Sequence, residues 1–304
     1  MLPIHSNASS EARELLRFLY SVRGQYTLTG EHNQMWNMSK PSERIQEITG
    51  KYPLIWGGEW GFSDERHDTD NVKYRPRLLE EIRRQHEAGR IVVMTYHQAC
   101  PLVGEPCGFS PGVQMPFRES DWDALFTVGT PVHETWSREV DRLGEAFASL
   151  SNVPIIFRPY HEMNGDWFWW GGNAPRFLQL WDAIQTRFSG LGNLLWAWNP
   201  DKPWPGVEAY FPGLAKVDLV GTDIYPAEGR ETYPQEWYDR MAGLAGGKPL
   251  ALSEMSELPT SEDLSRQPWS WFMGWDSLIF KANTPERLRE AFNDPRVLSN
   301  LPGG

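Results

Sequence analysis

Eight short apolar runs, each followed by a helix-like or turn-rich stretch, constrain the fold of this 304-residue chain more than any other feature. They occupy residues 26–30, 53–57, 91–96, 154–159, 194–198, 217–222, 249–253 and 270–274. Each is nearly continuous in apolar residues, as expected of a strand covered on both faces. Parallel strands of this kind need crossover connections rather than tight turns. Amphipathic segments predicted as helices fall at 41–49, 77–88, 137–150, 175–188, 235–244 and 285–292, with a short one at 207–210. An additional helix over 11–20 precedes the first strand, and mostly loop is expected after the seventh. Asn173-Ala174-Pro175 and Asn283-Thr284-Pro285 read as helix starts, a polar cap followed by an early proline. Eight strand–helix alternations without a repeat or a linker predict an α/β fold. The expected architecture is a single (β/α)8 barrel over residues 1–304.

In such a barrel the chemistry sits at the C-terminal ends of the strands. His32, Glu59, His97, His161 with Glu162, Trp198 with Asn199, Asp223 with Tyr225, Glu254, and Trp275 with Asp276 all fall there. The long Gly/Pro/Asp-rich stretches 58–75 and 98–120 follow strands and belong to the same face. The richest stretch is 153–172, VPIIFRPYHEMNGDWFWWGG. Its strand-like start delivers Arg158, His161 and Glu162, and Trp167, Phe168, Trp169 and Trp170 follow at once. Indole faces hold the C–H faces of a pyranose, and a carboxyl beside them can work on a glycosidic oxygen. Trp169 and Trp170 read as packing rather than platform. The whole chain carries 16 Trp, more than a core of this size needs.

Glycoside hydrolysis requires two carboxyl groups, one protonated and one ionised. Strands four and seven face each other across a barrel mouth, which pairs Glu162 with Glu254. Separation of the two carboxyls by about 5–5.5 Å corresponds to a retaining mechanism. Glu257 competes with Glu254 but lies beyond the strand end, where carboxylates are solvated. Glu59 is open between a sugar contact and an ion-pair partner. Asp223 reads as orienting its neighbours, and His32, Trp198 and Arg158 as subsite candidates.

FRP followed by HEMNGDWFWWG, TYH at strand three, GTDIY at strand six and the strand-terminal Glu254 resemble glycoside hydrolase family 26. The resemblance covers roughly residues 20–295. It implies a barrel with Glu162 as acid/base and Glu254 as nucleophile. Tyr225 would hydrogen-bond the nucleophile, and His97, Trp167 and Trp275 would contact sugar. His161 occupies a place where many relatives of the clan have Asn. The implied activity is endo-β-1,4-mannanase, with mixed-linkage β-glucanase, β-1,3-xylanase or a non-catalytic sugar-binding barrel as alternatives. Two positions depart from the family pattern. His97 is followed by Gln98-Ala99-Cys100-Pro101 rather than by a nearby Asn-Pro, and Ser256 stands where glycine is common.

Other classes find little support. The net charge of −11, without a Lys/Arg-rich run, argues against nucleic acid. No run of 18 apolar residues exists to span a membrane. Gly108-Phe109-Ser110-Pro111-Gly112 matches the serine-hydrolase elbow in letters, but Pro111 lacks the N–H that an oxyanion hole requires. His161-Glu162 is not followed by the second His of a zinc helix, so no metal or cofactor is expected. Cys100 and Cys107 form either a small-loop disulfide or two thiols. The expected partner is a β-linked polysaccharide, met by a monomer. Residues 1–10 lack a signal peptide's pattern, so the chain is secreted or periplasmic with its leader removed, or cytoplasmic.

Overall fold

The computed structural model describes residues 2–62, 72–227, 229 and 231–301. The centre of the expected 58–75 loop, residues 63–71, lies outside the described residues. In chain order the elements are α1 (Ser10–Val22), β1 (Thr27–His32), α2 (Lys40–Thr49), β2 (Ile55–Glu59), α3 (Arg75–Glu87), β3 (Ile91–Tyr96), α4 (Glu119–Leu125), α5 (Pro131–Ala148) and β4 (Ile155–Pro159). Then follow α6 (Ala174–Arg187), β5 (Leu194–Trp198), β6 (Leu219–Ile224), α7 (Gln235–Ala245), β7 (Leu250–Met255), α8 (Ser261–Arg266), β8 (Trp271–Trp275), α9 (Ser277–Ala282), α10 (Pro285–Asn293) and β9 (Val297–Leu298). Each of the eight expected strands is present within two residues of its predicted bounds.

β1 pairs in parallel with both β2 and β8, and each intervening strand pairs with the next, so the sheet closes into a barrel. β9 adds to the start of β1, Thr27 facing Val297. Strand parity sorts the side chains. Leu28, Ile55, Val93, Ile156, Leu195, Ala197, Leu219, Ala251, Trp271 and Met273 point inward and form one apolar cluster with Ala12, Leu15, Leu16 and Leu19 of α1. Helix α1 therefore plugs the N-terminal end of the barrel. The alternate residues, such as Trp56, Met94, Phe157, Trp196 and Phe272, point outward against the helices.

Cap chemistry accounts for several helix starts. Asn173 accepts from the Arg176 N–H at 3.3 Å, as its Asn-Ala-Pro sequence predicts. At α10 the cap is Thr284, which accepts from the Arg287 N–H at 3.2 Å. Asn283 instead donates to the Ile279 and Ser256 carbonyls. Helix α5 starts six residues before its predicted position 137, because Thr130 caps it with Pro131 in the first turn. Between β5 and β6 the crossover holds only short 3-10 turns, Val207–Tyr210 and Leu214–Lys216. The stretch after β7 contains α8, where loop was expected; Thr260 and Asp263 form a capping box that allows six residues to close a helix. Cys100 is a buried thiol. No helix of the described residues is long and apolar enough to cross a membrane.

Candidate active site

The seventh strand sets the geometry of the mouth. Ala251 points inward and Leu252 outward, so simple alternation turns Ser253 in and Glu254 out. The register breaks here: Thr222 faces Leu252, but Asp223 faces Glu254. Ser253 is the extra residue of a bulge, and the bulge re-aims Glu254 toward Asp223 at the mouth. Outward packing resumes at Met255.

Both oxygens of Glu254 are held. Arg158 donates to Oε1, and the Tyr225 hydroxyl donates to Oε2 at 2.9 Å. Arg158 also donates to Asp223 Oδ2 at 2.9 Å and to Thr95 Oγ1 at 3.0 Å. Burial works against the Arg158 charge, but the Glu254 and Asp223 carboxylates more than offset it and hold the guanidinium protonated. Burial and the Glu254 charge push the Tyr225 phenol up, so it keeps the proton it donates. His161 Nε2 lies 3.6 Å from Glu254 Oε1, and burial beside Arg158 pushes this imidazole down into its neutral form.

Glu162 stands in a different setting. It follows β4 in a left-handed backbone conformation, φ 54°, and its N–H donates to the Asn199 carbonyl at 2.8 Å. The Trp167 indole N–H donates to its Oε2 at 2.9 Å. Burial first, then the Glu254 and Asp201 charges, push this carboxyl up to about 8. Its surroundings thus favour the protonated form, while Glu254 is surrounded by donors. Acid-assisted glycosidic cleavage uses two carboxyl groups in unlike settings.

The surrounding rings form the walls. Trp275, ending β8, stacks on His32 with centroids 3.8 Å apart and planes 17° from parallel. His97 packs edge-on to Trp275 at 5.9 Å and to Phe168 at 5.2 Å. His97 Nδ1 lies 2.7 Å from Glu59 Oε2, which orients the imidazole. Trp169 and Trp170 are buried, donating to the Gln98 and His161 carbonyls at 3.0 and 2.7 Å.

Several sequence expectations change here. Trp198 points outward and packs on Phe211, because Ala197 takes the inward position; it is core, not sugar wall. Glu59 is fully buried and also accepts from the Gly61 and His97 N–H groups at 2.8 and 2.9 Å, so it supports His97 instead of reaching a sugar. Arg158 lies beneath the mouth and serves the carboxylates. His32 is buried and covered by Trp275. Glu257 is exposed, away from the buried Glu254, and Ser110 is an exposed loop residue. His161, Asp223 and Glu254 bring potential metal-ligand atoms within 4.8 Å of one another, but the Arg158 guanidinium already bridges the two carboxylates. A cation of the protein itself fills that role. Sequence reasoning missed Phe168 and Phe109, which flank His97; only the aromatic run 167–170 hinted at the first.

Paired glutamates in unlike environments, ringed by indoles at the C-terminal mouth of a (β/α)8 barrel, define the class of barrel glycoside hydrolases. The family model for glycosyl hydrolase family 26 matches residues 4–301, and the chain belongs to that family. It is 28% identical to mannan endo-1,4-beta-mannosidase A of Piromyces sp, over 97% of this chain and 49% of the relative. It is 26% identical to mannan endo-1,4-beta-mannosidase of Thermothelomyces thermophilus, over 96% of this chain and 61% of the relative. The chain thus spans about half to three fifths of these relatives. Among solved structures, that of GH26A from Muricauda sp. MAR_2010_75 superposes with a TM-score of 0.87, at 34% identity and 97% coverage of both chains.

Proposed function

We propose that this chain is a retaining endo-β-1,4-mannanase. The observation that carries the reading is the unlike surroundings of the two glutamates, Glu162 bonded by the Trp167 indole and Glu254 by Arg158 and Tyr225. Glu162 is raised to about 8 by burial and the neighbouring charges. Glu254 has both oxygens engaged by donors. The substrate class is drawn from the relatives, which are named as mannan endo-1,4-mannosidases.

In the first step a Glu254 oxygen attacks the anomeric carbon while the glycosidic C–O bond breaks, and the Glu162 proton passes to the leaving oxygen. Charge leaves Glu254 as its new C–O bond forms, and Arg158 and Tyr225 orient the carboxylate for that attack. In the second step Glu162, now ionised, takes a proton from water as the water oxygen attacks the same carbon and Glu254 departs. Trp275 and Trp167 supply apolar ring faces for the sugars on the two sides of the bond.

The test is hydrolysis of mannan, barley β-glucan and β-1,3-xylan by the purified chain, with proton NMR of fresh product. Mannan should be cleaved fastest, releasing internal fragments whose new reducing ends are initially β. Initial α-product would remove Glu254 from the nucleophile's role. A preference for β-glucan or xylan would overturn the substrate while leaving the mechanism intact. In Glu162→Gln, mannan hydrolysis should fall by several orders of magnitude. Near-normal rates would dismiss Glu162 as the acid/base.

A further inference from the structure

We propose that Tyr160 is a positioning residue for the acid/base, acting through a buried chain of hydrogen bonds behind β4. The proposal rests on the reading of Glu162 as acid/base given above. Tyr160 and Glu162 both have left-handed backbones, φ 49° and 54°, on either side of His161. Such conformations are costly for residues with a side chain and persist only where their surroundings impose them. The turn that aims Glu162 is therefore held rather than intrinsic.

Three anchors hold it. The Glu162 N–H donates to Asn199, and the His161 carbonyl accepts from the Trp170 indole. The third uses the side chain of Tyr160. The Tyr160 ring points outward to α5, fully buried. Its hydroxyl donates to Gln98 Oε1 at 2.7 Å and accepts from the Trp136 indole N–H at 3.0 Å. Gln98 in turn donates from Nε2 to Glu139 Oε2 at 3.2 Å, which fixes the amide with its oxygen toward Tyr160. Glu139 Oε1 accepts the Glu105 N–H at 2.8 Å. Trp136, Tyr160, Gln98 and Glu139 are all buried, so each polar group depends on its partner in this chain.

Gln98 directly follows His97, so the same bonds tie two strand ends to one helix. Helix α5 is thereby a template for the direction of Glu162 relative to the mouth. Phenylalanine at 160 would fill the same space, so the hydroxyl's contribution is separable from packing.

The experiment compares Tyr160→Phe with the unaltered chain on two substrates, reading kcat/KM, which reports the first step. Mannan oligosaccharides have a sugar leaving group that needs the proton; dinitrophenyl β-mannobioside has one that does not. A misaimed acid should lower kcat/KM on oligosaccharides about tenfold or more, with the aryl substrate changed less than about twofold. A merely structural role would lower both equally, and that result, or no change on either, would overturn the proposal. Glu162→Gln is run alongside. If it lacks the same leaving-group dependence, the acid/base assignment itself fails, whatever Tyr160→Phe does. Should Tyr160→Phe not fold, Trp136→Phe, which removes one donor to the same hydroxyl, is put through the same comparison with the same criteria.

Discussion

The raised carboxyl of Glu162 carries a cost in stability. Its carboxyl has a usual value of 4.5 and is pushed up to about 8 in the fold, first by burial and then by the Glu254 charge. Between those two values the folded chain keeps a proton that the unfolded chain releases. Stability from this group therefore falls as pH rises through that window. Glu162→Gln removes the titration and keeps an oxygen for the Trp167 indole. The variant should melt about 2–6 °C above the unaltered chain at a pH near 8, with the gap closing toward pH 4.5. Thermal unfolding across that range decides it; a gap that is constant with pH would mean Glu162 is not held protonated. The same raised value predicts that kcat/KM declines above pH about 8, and that this limb disappears in Glu162→Ala on an activated aryl glycoside. Trp275 allows a second test. Its indole stacks on His32 and is nearly buried, so truncation could act through packing or through the sugar. As a platform under the reacting sugar it should help the transition state more than the ground state. Trp275→Ala should then lower kcat on the order of tenfold or more, from a stacking and burial contribution of about 1–3 kcal/mol. A large fall in melting temperature with normal kcat in the folded fraction would make it core instead.

Elements decide what the individual residues can reach, and here the sequence was legible in part. The eight strands could be read because each is an unbroken apolar run between polar segments. The closeness of Glu162 to Glu254 could be read because one follows β4 and the other lies near the end of β7. The direction of side chains at the rim could not. Trp198 ends β5 just as Trp275 ends β8, yet one faces the helices and the other the mouth, a difference of one step in parity. Glu254 illustrates the same limit in reverse, since period two turns it outward and only the bulge at Ser253 brings it in. Nothing in LALSEMS announces a bulge. Helices α8 and α9, six residues each, are too short to show a period, and β9 is only two residues. The loop after β4 was legible as chemistry but not as architecture. Asn164 in that loop accepts from the Asp201 N–H at 2.8 Å and donates to the Lys202 carbonyl at 3.1 Å, joining it to the loop after β5. Asn164→Ala should cost about 1–3 kcal/mol of stability and raise amide exchange at residues 201 and 202. Exchange confined to its former level would show that the two loops hold their positions without this side chain.

At the scale of the whole molecule, charge separates the proposed substrate from other polymers. The chain carries a net charge of −11, so its surface repels anions at long range. Inside the mouth the charged groups are engaged with one another. Arg158 is committed to Asp223 and Glu254, and Glu59 is bonded to His97. The walls are rings, Trp167, Phe168 and Trp275. A site so built offers a neutral sugar apolar faces and short hydrogen bonds, neither of which salt screens, because these contacts are buried and act within a few ångströms. An acidic polymer such as a polyuronate would meet the surface charge, and its binding would strengthen steeply as salt screened that repulsion. Raising ionic strength from about 0.01 M to about 0.5 M shortens the screening length from about 30 Å to a few ångströms. Across that range kcat/KM on mannan should change less than about twofold, since no long-range attraction or repulsion steers a neutral chain to the mouth. A rise of tenfold or more on any tested polymer would identify a charged substrate and displace mannan from the reading.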